Sequence, residues 1–318
     1  MSTPLRKLGP NGPRVSALGL GCMGMSEFYG AADRAESIAT IHAALDAGIT
    51  LFDTGNFYGM GHNELLLAEA LRGKREQTFI QVKLGPQRGP DGAFLGVDHR
   101  PAAVKNDVAY SLRRLQTDHI DLCMVRDDPA VPIEETIGAL AELVKQGYLN
   151  HLGLMNVDAD TVRRAHAILP ITALQCEYSL MTRNIEAEIL PTCRELGIGI
   201  TAYGVLSRGL LAGSRGDQDG DWRQRHYPRF QGENLSRNAR LAQALGQAAS
   251  KDRLTGAQAA IAWVASQDDN IVPLVGARTR ARLTEALGAP LSLSSEARSL
   301  FEEAVPANQV SGGHLLST

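Results

Sequence analysis

Asp53, Tyr58 and Lys83 are three side chains whose types and order suit proton transfer. A free tyrosine titrates near about 10 and is a poor acid or base at neutral pH unless a cation stands close to it. Lys83 is such a cation, and Asp53 is a carboxylate able to keep the ammonium charged and oriented. Tyr58 is then able to pass a proton to or from an oxygen. The same residues also describe a plainer arrangement, a strand-end salt bridge beside a tyrosine packed under a loop. Their spacing leaves both open.

The elements that must position them read as a regular alternation. Residues 49–52 are apolar and β-branched, follow Gly48 and give way at once to Asp53, the order of a buried strand opening into a loop. Tyr58 lies in the following loop, bounded by Gly55 and Gly59. Residues 78–82 form a second strand that finishes in Lys83. Upstream, residues 5–8 and 15–18 flank the turn Gly9-Pro10-Asn11-Gly12-Pro13, a hairpin signal. The run then reaches Gly19-Leu20-Gly21-Cys22-Met23-Gly24, which matches the G-x-G-x-x-G dinucleotide fingerprint. That pattern has meaning only where a helix opens immediately. Residues 25–32 are loop-like here, and the first helix starts later, with Asp33 as N-cap and Glu36 completing a capping box. A doubly wound sheet is therefore disfavoured.

Helices are expected at residues 34–47, 63–72, 101–115, 132–146, 159–168, 185–196 and 279–287. Further strands are expected at 120–125, 152–155, 173–176, 198–203 and 271–275. Residues 85–100 and 206–237 read as long polar loops. Counting the run that ends at Gly21, eight strands are each followed by a helical segment, which predicts a (β/α)8 barrel with an N-terminal β-hairpin, one domain over residues 1–318. In a barrel all C-terminal strand ends share one face. Asp53, Lys83, Met155, Asn156, Gln175 and Tyr203 stand at such ends, so they converge on one mouth.

Composition excludes several classes. The 318 residues carry a net charge of -3, with 44% hydrophobic and 21% charged residues, so no basic footprint for nucleic acid or an anionic membrane is present. Cys22, Cys123, Cys176 and Cys193 are far apart and lack metal-site spacing, which reads as reduced core thiols and no metal site. The polar start and the lack of a membrane-length apolar run predict a cytoplasmic protein acting on a small molecule. A homo-oligomer is compatible with this sequence.

Several stretches, taken in order, resemble the aldo-keto reductase superfamily nearly end to end. They are Gly19-Leu20-Gly21-Cys22-Met23-Gly24, Asp53-Thr54-Gly55 with Tyr58-Gly59, Lys83, and Gly153-Leu154. Leu174-Gln175-Cys176-Glu177-Tyr178-Ser179, Tyr203-Gly204-Val205-Leu206-Ser207-Arg208-Gly209 and Ile271-Val272-Pro273 complete the set. The resemblance implies hydride transfer between NADPH and a carbonyl, with Tyr58 as general acid, Lys83 lowering its pKa and Asp53 holding Lys83. It implies that Tyr203 stacks on the nicotinamide while Asn156 and Gln175 bind the carboxamide. Gly21, Met23, Gly204, Leu206 and Arg208 join the cofactor set, the last two in a loop folding over the pyrophosphate. Gly276, Arg278, Arg282 and Glu285 complete it around the 2'-phosphate and adenine, where the start of a helix and forked guanidinium donors favour phosphate.

The chain departs from the family pattern at the end of the fourth strand, where a catalytic histidine is usual. Asp121-Leu122-Cys123-Met124-Val125-Arg126-Asp127-Asp128-Pro129 is one residue short there. Counting from Asp121 puts Arg126 at that position, and counting back from Pro129 puts Val125 there. Arg126 either grips an acidic group of a substrate or turns to solvent or to Asp127 and Asp128. Met155 replaces a usual serine, and Ala286 a usual asparagine. His62, His119 and His151 offer no substitute, and His314 lies in the tail. Three functions compete: an NADPH-dependent carbonyl reductase, a cofactor-binding protein with little turnover, and a reductase of C=N or C=C bonds on an acidic substrate gripped by Arg126.

Overall fold

An antiparallel hairpin opens the chain in the computed structural model, which describes residues 2–216 and 221–313. Its arms are β1 (Leu5–Lys7) and β2 (Arg14–Ser16). A regular alternation follows: β3 (Gly19–Gly21), α1 (Arg34–Asp46), β4 (Leu51–Gly55), α2 (His62–Ala70) and β5 (Phe79–Lys83). After a short excursion through β6 (Pro86–Arg88) and β7 (Phe94–Val97) come α3 (Pro101–Leu115), β8 (Ile120–Val125), α4 (Ile133–Lys145) and β9 (Leu149–Met155). Then α5 (Ala159–Ile168), β10 (Ala173–Glu177), α6 (Ile189–Leu196) and β11 (Gly199–Tyr203) continue the pattern. The last part holds α7 (Trp222–His226), α8 (Gly232–Ser250), α9 (Gly256–Ala265), β12 (Ile271–Gly276), α10 (Arg280–Leu287) and α11 (Ser295–Ala304).

Strands β3, β4, β5, β8, β9, β10, β11 and β12 pair in parallel in that order, and β12 returns to β3 to close the barrel. This is the eight-stranded barrel that the alternation predicts. Side chains on a strand alternate between its two faces. Leu51, Phe79, Leu122, Met124, Ala173, Val272 and Leu274 therefore meet inside. Leu8 and Val15 of the hairpin join this cluster, and Gly9 lies against the start of β11, so the hairpin plugs the N-terminal end of the barrel. Gly153 makes room within the packing, since a Cβ there would collide with Met124 Sδ. Beyond the apolar layer the inward positions turn polar, at Asp53, Gln81, Lys83 and Gln175. That change of character marks the open end.

The structure differs from the sequence expectation in several places. Residues 85–100 hold the hairpin β6–β7, whose turn at Asp91-Gly92 places Gly92 in the left-handed region at φ 81°. The helix expected at 185–196 is a 3-10 turn, Asn184–Glu186, followed by α6 from Ile189. Pro191 explains the break: without an N–H it is tolerated only in a first turn. The expected loop at 206–237 contains the turn Ser207–Ala212, α7, the turn Pro228–Phe230 and the start of α8. Asp33 does cap α1 by accepting from Glu36 N–H at 2.7 Å, but the Glu36 carboxylate turns to Arg280 and leaves the capping box half made. Asp53 lies inside β4, which runs on to Gly55, and His151 lies within β9. His314 falls outside the described residues. No described helix is long and apolar enough to cross a membrane.

Candidate active site

The pairing of β4 with β5 sets Asp53 opposite Gln81 and Gly55 opposite Lys83. Gln81 and Lys83 are two residues apart, so both point inward beside Asp53. Asp53 Oδ1 accepts from Lys83 Nζ at 2.6 Å, from Gln81 Nε2 at 2.7 Å and from Gln175 Nε2, across the barrel on β10, at 2.9 Å. All four residues are buried. Tyr58 is buried too, in the short 3-10 turn Tyr58–Gly61, with Lys83 Nζ 4.9 Å from its ring centre. The three residues that suggested a relay are thus brought together. Gln81 was not singled out in the sequence, although its place two residues before Lys83 is a readable signal.

The Tyr58 pKa, expected from the sequence to be lowered beside Lys83, is set at rest chiefly by burial. Burial pushes the phenol well above its ordinary value and the Asp53 carboxylate adds to the rise, while the Arg208 charge opposes it. Burial likewise pulls the Lys83 ammonium below its ordinary value, against the attraction of Asp53. Tyr58 is therefore held protonated.

Arg126 is not brought into this set. It continues the inward alternation of Leu122 and Met124, yet β8 ends at Val125. The Arg126 side chain is 44% exposed and its Nε lies 3.8 Å from Asp127 Oδ1. Val125, the other residue matched to the family histidine, is fully buried among apolar neighbours. His62 bonds Ser26 Oγ at 2.9 Å, and His151 lies tilted against Phe79 in the lower barrel, with ring centres 6.1 Å apart.

Most of the remaining candidates lie on the adjoining arc, from β9 through β12 to β3. Asn156 takes a left-handed conformation at φ 52°, and its Oδ1 accepts from the Tyr203 hydroxyl at 3.1 Å. After Tyr203 the backbone turns sharply at Gly204, where φ is 66° and a Cβ would come within 2.9 Å of Glu177 Cγ. The Leu206 carbonyl accepts from the N–H groups of Gly209 and Leu211, closing the turn that carries Arg208. The Arg208 guanidinium stands 5.0 Å from the Tyr203 ring and 5.3 Å from the Tyr227 ring, with Glu177 Oε2 3.9 Å away. Arg208 Nε and Trp222 Nε1 are buried donors with no partner among the described residues. Beneath the turn, buried Arg229 donates to Ser207 Oγ at 2.8 Å and to Thr182 Oγ1 at 3.0 Å, a support that the sequence reading missed.

At the far end of the arc, Gly21 pairs with both Gly276 and Asp53, and Met23 begins the turn Met23–Met25. Arg278 folds over this turn and donates to the carbonyls of Tyr29, Gly30 and Ala31. Arg282 is exposed and pairs with Glu285 at 3.1 Å. The start of α10, read from sequence as an anion site, already receives a carboxylate: Glu36 Oε1 accepts from Arg280 N–H at 2.8 Å.

Comparison with known proteins accords with this geometry. The profile described as Aldo/keto reductase family matches residues 17–305. The chain is 42% identical over 316 residues to Probable aldo-keto reductase 1 of Glycine max, covering 96% of this chain and 90% of that one. Among solved structures it resembles the glycerol dehydrogenase AKR11B4 from Gluconobacter oxydans, with a TM-score of 0.87 at 28% identity over 98% of this chain and 97% of the other. The holo form of the aldo-keto reductase AKR11C1 from Bacillus halodurans gives a TM-score of 0.77 at 26% identity, over 96% and 97%.

A stability measurement tests the raised phenol. Burial raises Tyr58, Tyr178, Tyr203 and Tyr227 above the ordinary tyrosine value. A group whose folded pKa is raised stabilises fully below its unfolded pKa, here about 10, and that contribution is lost as pH climbs toward the folded value. Lys83, shifted downward, acts in the opposite sense below about 10.5. Unfolding free energy should therefore fall with pH above about 10, and Tyr58→Phe should reduce that slope by up to about 1.4 kcal/mol per pH unit. Urea titrations between pH 9 and 11 measure it. An unchanged slope would mean that Tyr58 ionises alike in the folded and unfolded chains.

Proposed function

Because the chain belongs to the aldo/keto reductase family, an enzyme family whose members use NAD(P)H to reduce carbonyl groups of small molecules, we propose that it is an NADPH-dependent reductase of aldehydes or ketones with Tyr58 as proton donor. The observation that carries this reading is the buried Tyr58 phenol, held protonated beside a Lys83 ammonium that Asp53 fixes in place.

NADPH, when bound, supplies the hydride. As negative charge grows on the substrate oxygen, Tyr58 donates its proton to it. The phenolate left behind is stabilised by Lys83 and Arg208, both fixed before the reaction begins, so little reorganisation is required. Burial keeps water from competing for that proton. With no histidine at the end of β8, this reading assigns the donation to Tyr58. The same groups run in reverse as alcohol oxidation.

The arc from β9 to β3 fits a nicotinamide dinucleotide. Tyr203 offers a flat ring and Asn156 an amide, while Gln175 Nε2 is engaged by Asp53 and leaves its carbonyl oxygen for an amide N–H. The unpartnered donors Arg208 Nε and Trp222 Nε1 are suited to phosphate oxygens, and Gly204 and Leu206 set the turn that presents Arg208. Arg278 and Arg282 would hold the 2'-phosphate, with Gly21, Met23, Gly276 and Glu285 around them. Glu36 is matched by Arg280, so a net positive charge remains for that phosphate.

Tyr58→Phe should lower carbonyl turnover by at least about 10²-fold, the scale of losing one donor to an oxyanion. Its NADPH dissociation constant, from cofactor fluorescence, should stay within about twofold. Undiminished turnover would assign the proton to another group. NADPH should bind more tightly than NADH, and Arg282→Ala should weaken NADPH by about 1.5–3 kcal/mol while barely changing NADH. Equal wild-type affinities for the two cofactors would contradict the assignment of the 2'-phosphate site.

A further inference from the structure

Aromatic rings that take no part in the proton transfer border the Tyr58 side of the mouth, and they come from three separate strand-end loops. The Phe57 ring covers Gly55 at the end of β4 and meets the Tyr58 ring edge-on at 4.7 Å. Phe94, on the β6–β7 hairpin, meets Phe57 edge-on at 6.1 Å. Phe94 also lies nearly parallel to Phe28, at 6.2 Å and 21°. The hairpin side of this wall is open to solvent: Phe94 is 51% exposed and Leu95 69%. Phe28 occupies the left-handed region at φ 75°. A bulky residue reaches that region only at a cost, and such strain collects at functional sites.

Arg88 holds the wall together. Its guanidinium lies 4.2 Å from the Phe94 ring and makes a fork to Glu27, with contacts of 3.1 and 3.0 Å. It also reaches the Phe57 carbonyl at 3.5 Å. One side chain thus ties the hairpin to the loops that carry Phe28 and Phe57. The charges around the wall are matched: Arg88 by Glu27, Lys83 by Asp53, and Arg126 by Asp127. That leaves exposed ring faces beside the proposed proton donor and, among the described residues of the wall, no unpaired cation for an acidic substrate.

We propose that Phe94, with Phe28 and Phe57, is the substrate platform of this site. It selects a carbonyl borne on a flat, neutral, aromatic or conjugated frame over a short aliphatic or anionic one, and Arg88 is its positioning residue. The inference rests on the reading of Tyr58 as proton donor, because it is the adjacency of Phe57 to Tyr58 that puts the rings beside the reacting carbonyl. A flat ring on an aromatic platform gains both apolar burial and ring–ring contact, whereas a short aliphatic chain gains little of either.

Two measurements keep this inference separable from the proposed reaction. The first is steady-state reduction of benzaldehyde, 4-carboxybenzaldehyde and propanal. The second is calorimetric binding of benzyl alcohol to the NADP-bound protein. Wild type should favour benzaldehyde over propanal by roughly tenfold or more in kcat/KM, and the added carboxylate should bring no gain. Phe94→Ala should remove the preference by raising KM for benzaldehyde far more than for propanal, and weaken benzyl alcohol binding by roughly tenfold. Phe94→Tyr should retain both properties, and Arg88→Ala should raise KM for benzaldehyde without lowering kcat. The proposal is overturned if Phe94→Ala slows both neutral aldehydes equally, if benzyl alcohol affinity does not change, or if 4-carboxybenzaldehyde is the better substrate. A wild type inactive on all three aldehydes, whose benzyl alcohol affinity still depends on Phe94, would keep the platform and remove the reductase reading.

Discussion

One carboxylate oxygen, Asp53 Oδ1, receives three buried donors, Lys83, Gln81 and Gln175, and the rest of the site follows from that convergence. An ammonium taken from water into the barrel would lose its proton or leave the site unless a counter-charge and hydrogen bonds met it. Asp53 supplies the charge, and the two glutamine amides hold its oxygen in place. Only a closed barrel in this register brings β4, β5 and β10 to the same level from different parts of the chain. The apolar layer below, sealed by Leu8 and Val15, fixes that register, because a shift by one residue would turn Asp53, Gln81 and Lys83 outward.

Tyr58 depends on the same oxygen in a less direct way. Its burial and the Asp53 charge both hold the phenol protonated, the form that the proposed donor role requires. The cations that would welcome a phenolate, Lys83 and Arg208, come from opposite sides of the site. Lys83 rides on a strand, whereas Arg208 sits on a turn with φ 57°, supported from below by Arg229. Donor and cations are thus fixed by separate parts of the barrel.

Much of this was legible in the sequence because it follows a period. Strand–glycine–helix alternation predicted the barrel, and the bounds of α3, β8 and α5 agree with the expectation residue for residue. Elements without a period were missed. Helix α9 is apolar on all sides and almost wholly buried, so no polar stripe announced it, and α8 began inside a stretch read as loop. The β6–β7 hairpin was hidden in a polar segment whose Asp91-Gly92 turn went unrecognised, and with it went Phe94 and Arg88. Within the site, residues held by their own strands were readable. What side chains do after a strand ends was not: Arg126 has inward alternation but turns to Asp127, and Glu36 leaves its own helix cap for Arg280.

Single-turnover oxidation of bound NADPH by excess aldehyde in Asp53→Asn tests the central claim most directly, because it isolates hydride transfer from cofactor release. Removing the counter-charge of a buried ammonium carries a penalty of about 3–5 kcal/mol, so the transfer rate should fall by roughly 10²-fold or more while the NADPH dissociation constant stays within about threefold. A rate equal to that of wild type would contradict the account, since it would show that the chemistry does not depend on Asp53 holding Lys83.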